Sequence, residues 1–357
     1  MKHLAIDATH VAATQPTGVE NYTAQVVTRA TKLLLEKGVK VSWIGNAAEP
    51  PANMPAGTAY VHSPYQPLWS QTGLLRTLTT LKPDLFFEPS GLFPVLYSGK
   101  TALTVHDLAV YPYPDYFTLG QRLRLRLLHK RNAQHSSLIL TPSDATKKQV
   151  QNYWGIDASR IIATLLANAL PNGTPEAVAV PTEFVLYLGR VEEKKNLITL
   201  VQALAECPGT NLVIAGKDGD KAEAVHATIA ALPEEARNRI HLIGYVSDAQ
   251  KLWLLQNATL FVVPGLAEGS SIPLLEAMQC GRACLVAKAG PLPELGAEAV
   301  AYIDDGLNVD AWKQQIEQLI TDPKRREKMA SASLERSKQF SWDTTAASTV
   351  EALLRNL

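Results

Sequence analysis

Two carboxylates eight residues apart, Glu268 and Glu276, carry the most chemical information in this 357-residue chain. They belong to AEGSSIPLLEAMQCG, residues 267–281, a polar loop that turns into a helix after the apolar run TLFVVP. Pro273 suits the first helical turn, because its missing N–H would find no intrahelical partner there. Ser270, Ser271 and Ile272 then offer backbone N–H groups at the helix mouth. Those donors, with the positive end of the helix dipole, suit a phosphate. Glu276 lies about one turn further in, near enough to meet a hydroxyl beside that phosphate. Acid, anion seat and second acid suit a diphosphate that carries sugars. Carboxylates take the hydroxyls and N–H groups take the phosphates. A capped helix with Glu276 placed only to complement the dipole is the plainer reading, but it leaves Glu268, Gly269 and Pro273 each needing a separate reason.

A cationic pair lies upstream in YLGRVEEKKNL, residues 187–197. A strand ends at Gly189, then Arg190 and Lys195 follow. Arginine can bind a diphosphate through two parallel bonds, and both charges can neutralise a leaving group. Alternatively the stretch is a solvated turn balanced by Glu192 and Glu193, with Lys194 exposed. In LTVHDLAVYPYPDYF, residues 103–117, His106 and Asp107 close an apolar strand before an aromatic, proline-rich loop. In PTGVENY, residues 16–22, Gly18 would let backbone approach a ligand where the first helix begins. No G-x-G-x-x-G follows that first strand, which counts against a nicotinamide or flavin enzyme. Asp218-Gly219-Asp220 reads as a turn after a strand, and no metal site is expected.

The string E-G-x-x-x-P-x-x-E-A-M-x-x-G resembles the E-x7-E motif of glycosyltransferase family 4, the retaining sugar-nucleotide transferases of GT-B fold. G-R-x-x-x-x-K-N at residues 189–196, His-Asp-Leu at 106–108 and Thr-Gly at 17–18 resemble that family in the same order. The resemblance implies that Arg190, Lys195 and the N–H groups of Ser270, Ser271 and Ile272 hold a donor diphosphate, with Gly18 close to it. It implies that Glu276 holds the ribose, and that Glu268 and His106 contact the donor sugar as the catalytic pair. Asp107 and Tyr22 would serve the acceptor side. GYVSD, residues 244–248, resembles the strand end that meets the nucleobase, through Tyr245 or Val246. One departure stands out: Ser270-Ser271 replace the family's usual Phe-Gly, which keeps the backbone donors and adds hydroxyls.

Length alone favours two domains, because single cores stop growing near 250–300 residues. Short β-like runs alternate with helical stretches: HLAIDA, KVSWIG, PDLFFEP, TALTVHD and SLILTPS, then FVLYLGR, NLVIAGK, IHLIGY, LFVVPG, ACLVAK and VAYID. Such alternation implies an α/β fold with parallel sheets covered on both faces. NYTAQVVTRATKLLLEKG carries apolar residues at helical spacing and closes on Gly38. The expected arrangement is two Rossmann-like, doubly wound domains facing across a cleft. An acceptor-side domain would span residues 1–170, a linker 171–182 and a donor nucleotide-sugar domain 183–340. By the resemblance, a C-terminal helix over 341–357 packs back on the first domain.

Lys+Arg and Asp+Glu are both 34, so the net charge is zero and no nucleic-acid partner is expected. No apolar run approaches the roughly 20 residues that span a bilayer. MKHLAIDATH reads as a strand and not as a leader. Cys207, Cys280 and Cys284 are odd in number without metal spacing, which suits reduced thiols in the cytoplasm. RLRLRLLHKR, residues 122–131, reads as an amphipathic surface helix, or as a patch that holds the protein on the inner face of a membrane.

The expected protein is a metal-independent retaining hexosyltransferase. It would move a sugar from a nucleotide donor, GDP-mannose first and UDP- or dTDP-sugars next, to a glycan or lipid-linked acceptor. HDLAVYPYPDYF, PLWSQTGL (residues 67–74) and FSWDTTA resemble mannosyl- and rhamnosyltransferases of bacterial polysaccharide assembly. A sugar-nucleotide epimerase or hydrolase, and a non-catalytic sugar-nucleotide sensor, are the competing functions.

Overall fold

Strands that are apolar on both sides need helices on both faces, and a parallel crossover supplies them. The structure, a computed structural model, describes residues 1–13, 18–64, 68–167, 170 and 173–357. Pro16 and Thr17 of the first loop, Pro67, and Pro171 and Asn172 of the expected linker lie outside the described residues. The chain divides into two units, residues 1–166 with 341–357, and residues 167–340.

Unit 1 holds seven strands in the order β3-β2-β1-β4-β5-β6-β7. They are β1 (His3–Asp7), β2 (Lys40–Gly45), β3 (Ala59–His62), β4 (Leu85–Glu88), β5 (Thr101–Thr104), β6 (Leu138–Thr141) and β7 (Ile161–Ala163). Unit 2 holds six in the order β10-β9-β8-β11-β12-β13. They are β8 (Phe184–Leu188), β9 (Asn211–Ala215), β10 (Ile240–Gly244), β11 (Leu260–Val263), β12 (Cys284–Ala287) and β13 (Ala301–Ile303). Neighbouring strands in both sheets run parallel. Strand order reverses between β1 and β4 in one sheet and between β8 and β11 in the other. Open α/β sheets bind ligands at such reversals, beyond the carboxyl ends of the strands.

In unit 1 one apolar layer joins Leu4, Ile6 and Phe87 of the sheet to Val27 and Leu34 of the helix Gly18–Glu36 and to Val350 and Leu353 of the helix Trp342–Leu354. The last helix belongs to unit 1, and Arg29 pairs with its Asp343 at 2.9 Å. The opposite layer packs Ala5, Phe86 and Ile139 against Leu74, Leu78 and Trp154. In unit 2 Leu186, Val213 and Phe261 are fully buried in the sheet, as are Leu200, Leu275 and Trp312 on its helices.

The RLRLRLLHKR stretch is helical, but not as a uniform α-helix. α-Helical turns at Leu119–Leu123 and Lys130–His135 flank a π segment, Arg124–His129. Its cations do not all face solvent. Arg122 binds Asp115, Arg126 donates to the Val110 carbonyl and lies over Tyr111, and Arg131 donates to the Val95 carbonyl. What faces outward is a row of leucines, Leu119, Leu123 and Leu127, at 72%, 52% and 61% exposure.

Candidate functional site

In unit 2 the turns after β8 and β9 touch. A Cβ on Gly216 would lie 1.8 Å from the Gly189 carbonyl oxygen, so the second turn can pass the first only as glycine. Arg190 follows Gly189. Its Nε donates to Oε1 of Glu192 at 2.8 Å, and Lys194 binds Oε2 at 3.1 Å. Glu192 is 3% exposed, so this is no solvated turn. A buried acid holds two cations, and Lys194 is half-buried rather than exposed. Asn196 adopts a left-handed conformation, with φ at 56°. Its amide donates to the carbonyls of Pro264 and Gly306, which ties the loop after β8 to the end of β11.

Lys195 is thereby placed opposite Glu268. Its Nζ donates to both carboxylate oxygens, at 2.9 and 2.8 Å. The expected sugar ligand and the expected phosphate ligand are therefore partners across the β8–β11 reversal. The Glu268 carboxylate folds over Gly265, where a Cβ would come within 2.4 Å of Oε1.

The helix that follows runs Ile272–Gln279 with Ser271 as its N-cap and makes no side-chain capping bond. Its first-turn N–H groups have no intrahelical acceptors. The Ser270 hydroxyl beside them is buried and has no hydrogen-bond partner. Such an orphaned donor at a helix mouth suits an anion. Glu276 is 2% exposed and accepts from Lys251 Nζ at 2.9 Å. Burial pushes the Glu276 carboxyl upward, against the pull of Lys251. Lys251 has no counterpart in the sequence reading, because no spacing rule links residue 251 to residue 276. Tyr245, beyond β10, is exposed under the ammonium of Lys217, 4.7 Å from the ring centroid, and Val246 beside it is half-buried. Asp218 is bound to His226 at 3.0 Å.

In unit 1 His106 Nε2 donates to the Pro89 carbonyl at 2.8 Å. Burial lowers its basicity, so the ring is neutral near pH 7. Tyr22 does not reach an acceptor. It is fully buried, its hydroxyl pairs with Thr104, and its ring meets His106 edge-on at 4.9 Å. Burial pushes its phenol up to about 12, so it acts as an apolar prop beneath the imidazole. Asp107 is exposed and accepts from the Ala109 N–H, which shapes the loop. Gly18 opens its helix with nothing within 4 Å of a built Cβ, so the protein's own packing does not demand glycine there. His129, at the end of the π segment, is a further buried imidazole that the sequence reading missed. Burial first, and Arg124 next, push it down to about 4.

Residues 16–163 match the family described as Glycosyltransferase Family 4, and residues 175–336 the family described as Glycosyl transferases group 1. O-antigen chain mannosyltransferase B of Escherichia coli is 29% identical over 269 residues, 71% of this chain and 70% of that protein. Serotype-specific mannosyltransferase WbdA of Escherichia coli is 29% identical over 276 residues, 72% of this chain but 34% of that protein. Sucrose-phosphate synthase from Thermosynechococcus elongatus shares the fold at a TM-score of 0.77, 18% identity, and 99% and 98% coverage of the two chains. Anabaena HepE, crystallised with UDP and glucose, shares it at 0.73, 20% identity, and 99% coverage of both. With two matched domains in order and two Rossmann-like parallel sheets, the chain belongs to the group 1 and family 4 glycosyltransferases of GT-B fold.

Proposed function

We propose that this protein moves a hexose from a nucleotide sugar to a glycan or lipid-linked acceptor, with retention of anomeric configuration and without a metal. The observation that carries the reading is the mouth of the helix Ile272–Gln279. There an orphaned Ser270 hydroxyl and free N–H groups share the carboxyl edge of the unit 2 sheet with Arg190 and Lys195. These groups take the diphosphate and stabilise it as it leaves. Glu276 takes the ribose and Tyr245 or Val246 the base. Glu268 and His106 take sugar hydroxyls, Asp107 shapes the acceptor loop, and Gly18 lets backbone approach the diphosphate. GDP-mannose is the first donor to test, because the mannosyltransferases of Escherichia coli are relatives. UDP- and dTDP-sugars follow, since HepE was crystallised with UDP.

Calorimetry with GDP, UDP, dTDP and ADP tests the site. One nucleotide should bind the wild type clearly more tightly than the rest. Arg190→Ala should weaken it by about tenfold or more, the worth of a charge-assisted bond to phosphate. Unchanged affinity would remove Arg190 from the site.

The leucine row supports a second element of this reading, a place on the cytoplasmic face of an anionic membrane. Leu119, Leu123 and Leu127 offer apolar area beside the exposed Arg124. No helix among the described residues is long and apolar enough to cross a membrane. Flotation with phosphatidylglycerol vesicles should retain the wild type, and Leu123→Ser with Leu127→Ser should cut binding at least about tenfold. Equal flotation of the two proteins would discard the membrane.

A further inference from the structure

The strand-order reversal in unit 1 is flanked by two acids. β1 ends on Asp7 and β4 on Glu88, and the register pairs Ile6 with Phe87 one step before them. Glu88 is fully buried and Asp7 is 5% exposed. Oε1 of Glu88 is well supplied with donors. It accepts from the Ser90 N–H at 2.9 Å, the Ser90 hydroxyl at 2.6 Å and the Gly91 N–H at 3.2 Å. Oε2 is buried and finds no donor. What Glu88 meets instead is the side chain of Asp7, whose Oδ1 already accepts from the N–H and hydroxyl of Thr9.

Two carboxylates cannot hydrogen-bond to each other unless one carries a proton, and burying both charges without a cation is prohibitive. Among the described residues the neighbours supply no cation. Across β5 the register partner of Glu88 is Leu103. Two imidazoles reach the same turn, His106 through the Pro89 carbonyl and His129 against Gly91, and burial keeps both neutral.

We propose that Glu88 is a positioning residue that keeps its proton in the folded protein. Its Oε2–H donates a hydrogen bond to Asp7, and its Oε1 holds the 89–91 turn that fixes His106 as the Nε2–H tautomer. The turn is the link. Ser90 and Gly91 anchor it to Glu88, and its Pro89 carbonyl accepts the imidazole N–H. Nδ1 is then the lone pair left for a ligand hydroxyl. Burial first, and the Asp7 charge second, push the Glu88 carboxyl well above its usual range, in accord with this geometry.

The linkage has a definite sign. A carboxyl that is neutral when folded and ionised when unfolded gives its full stability below the unfolded value of 4.5, and loses it as pH rises toward the folded value. Glu88→Gln offers the same donor and acceptor with no proton to lose. Urea unfolding of both proteins from pH 5 to 8 should therefore show the variant gaining on wild type as pH rises, by up to about tenfold in the unfolding constant per pH unit until the folded carboxyl ionises. Asp7→Asn, which removes the acceptor's charge, should lessen the wild-type dependence and leave the larger part that burial causes.

Nitrogen-15 spectra of histidine-labelled protein, assigned with His106→Gln, should show the Nε2–H tautomer in wild type and in Glu88→Gln. Glu88→Leu should lose it. If Glu88→Leu does not fold, Ser90→Ala, which removes the 2.6 Å bond, should shift the tautomer population. A pH-independent ratio between Glu88→Gln and wild type would overturn the shared proton. A His106 tautomer indifferent to these changes would overturn the positioning role. The catalytic use of His106 rests on the function proposed above. The proton and the tautomer do not, so either reading can fail while the other stands.

Discussion

Lys195→Ala is expected to cut sugar transfer by about 10²–10³-fold, the usual loss when a preorganised charge on a leaving group is removed. It should weaken unit 2 at the same time. Glu268 is left as a carboxylate with 10% side-chain exposure and no cation, and breaking one side of such a pair costs about 3–5 kcal/mol. The two losses can be separated. Lys195→Met combined with Glu268→Gln removes both charges and should recover most of the stability, yet leave transfer as low as in the single variant. Urea unfolding and turnover of wild type, Lys195→Met, Glu268→Gln and the double variant measure both. Transfer within threefold of wild type in Lys195→Ala would take Lys195 out of the mechanism, whatever the stability result.

The second large effect is expected at Glu276. Glu276→Leu takes from Lys251, a 21%-exposed ammonium, its 2.9 Å partner and leaves it only the exposed carboxylate of Asp248 at 3.4 Å. Burial pulls Lys251 down, and Glu276 first with Asp248 second more than offset it, so most of what holds the ammonium charged comes from Glu276. Unit 2 should lose about 3–5 kcal/mol. Adding Lys251→Met should return most of it, because an apolar pair of similar volume removes the stranded charge. Glu276→Gln is the functional probe. It keeps the volume and one acceptor, and should weaken nucleotide binding by about tenfold through the lost charge-assisted bond to ribose. Nucleotide affinity equal to wild type in Glu276→Gln would leave this acid a purely structural partner of Lys251.

Local signals in the sequence carry much of this molecule. The motif from Ala267 to Gly281 is strand end, loop and helix start in fifteen consecutive residues, so its spacing encodes its geometry. Among the described residues, eleven of the thirteen strands are legible for the same reason, as apolar runs bounded by turns. β3 and β7 are not. Both are short edge strands with half-exposed faces, which leaves no apolar run to read. Long-range pairs are equally silent. Lys251 meets Glu276 only because two helices pack together, and Asp7 meets Glu88 only because the sheet order reverses between their strands. The π segment is hidden too, since a Leu-Arg alternation fits any helical winding equally well. Tyr22 shows the converse limit. A motif gave its position, and burial decided what it could touch.

The two sheets repeat one geometric vestibule and furnish it with opposite electrostatics. At β8–β11 an ammonium faces an acid beside an arginine, so a polyanion is welcome there. At β1–β4 two carboxyls meet with no cation between them among the described residues, and a phosphate would be repelled. Each unit therefore sorts ligands by charge at its own strand-order reversal, unit 2 in favour of a polyanion and unit 1 against one.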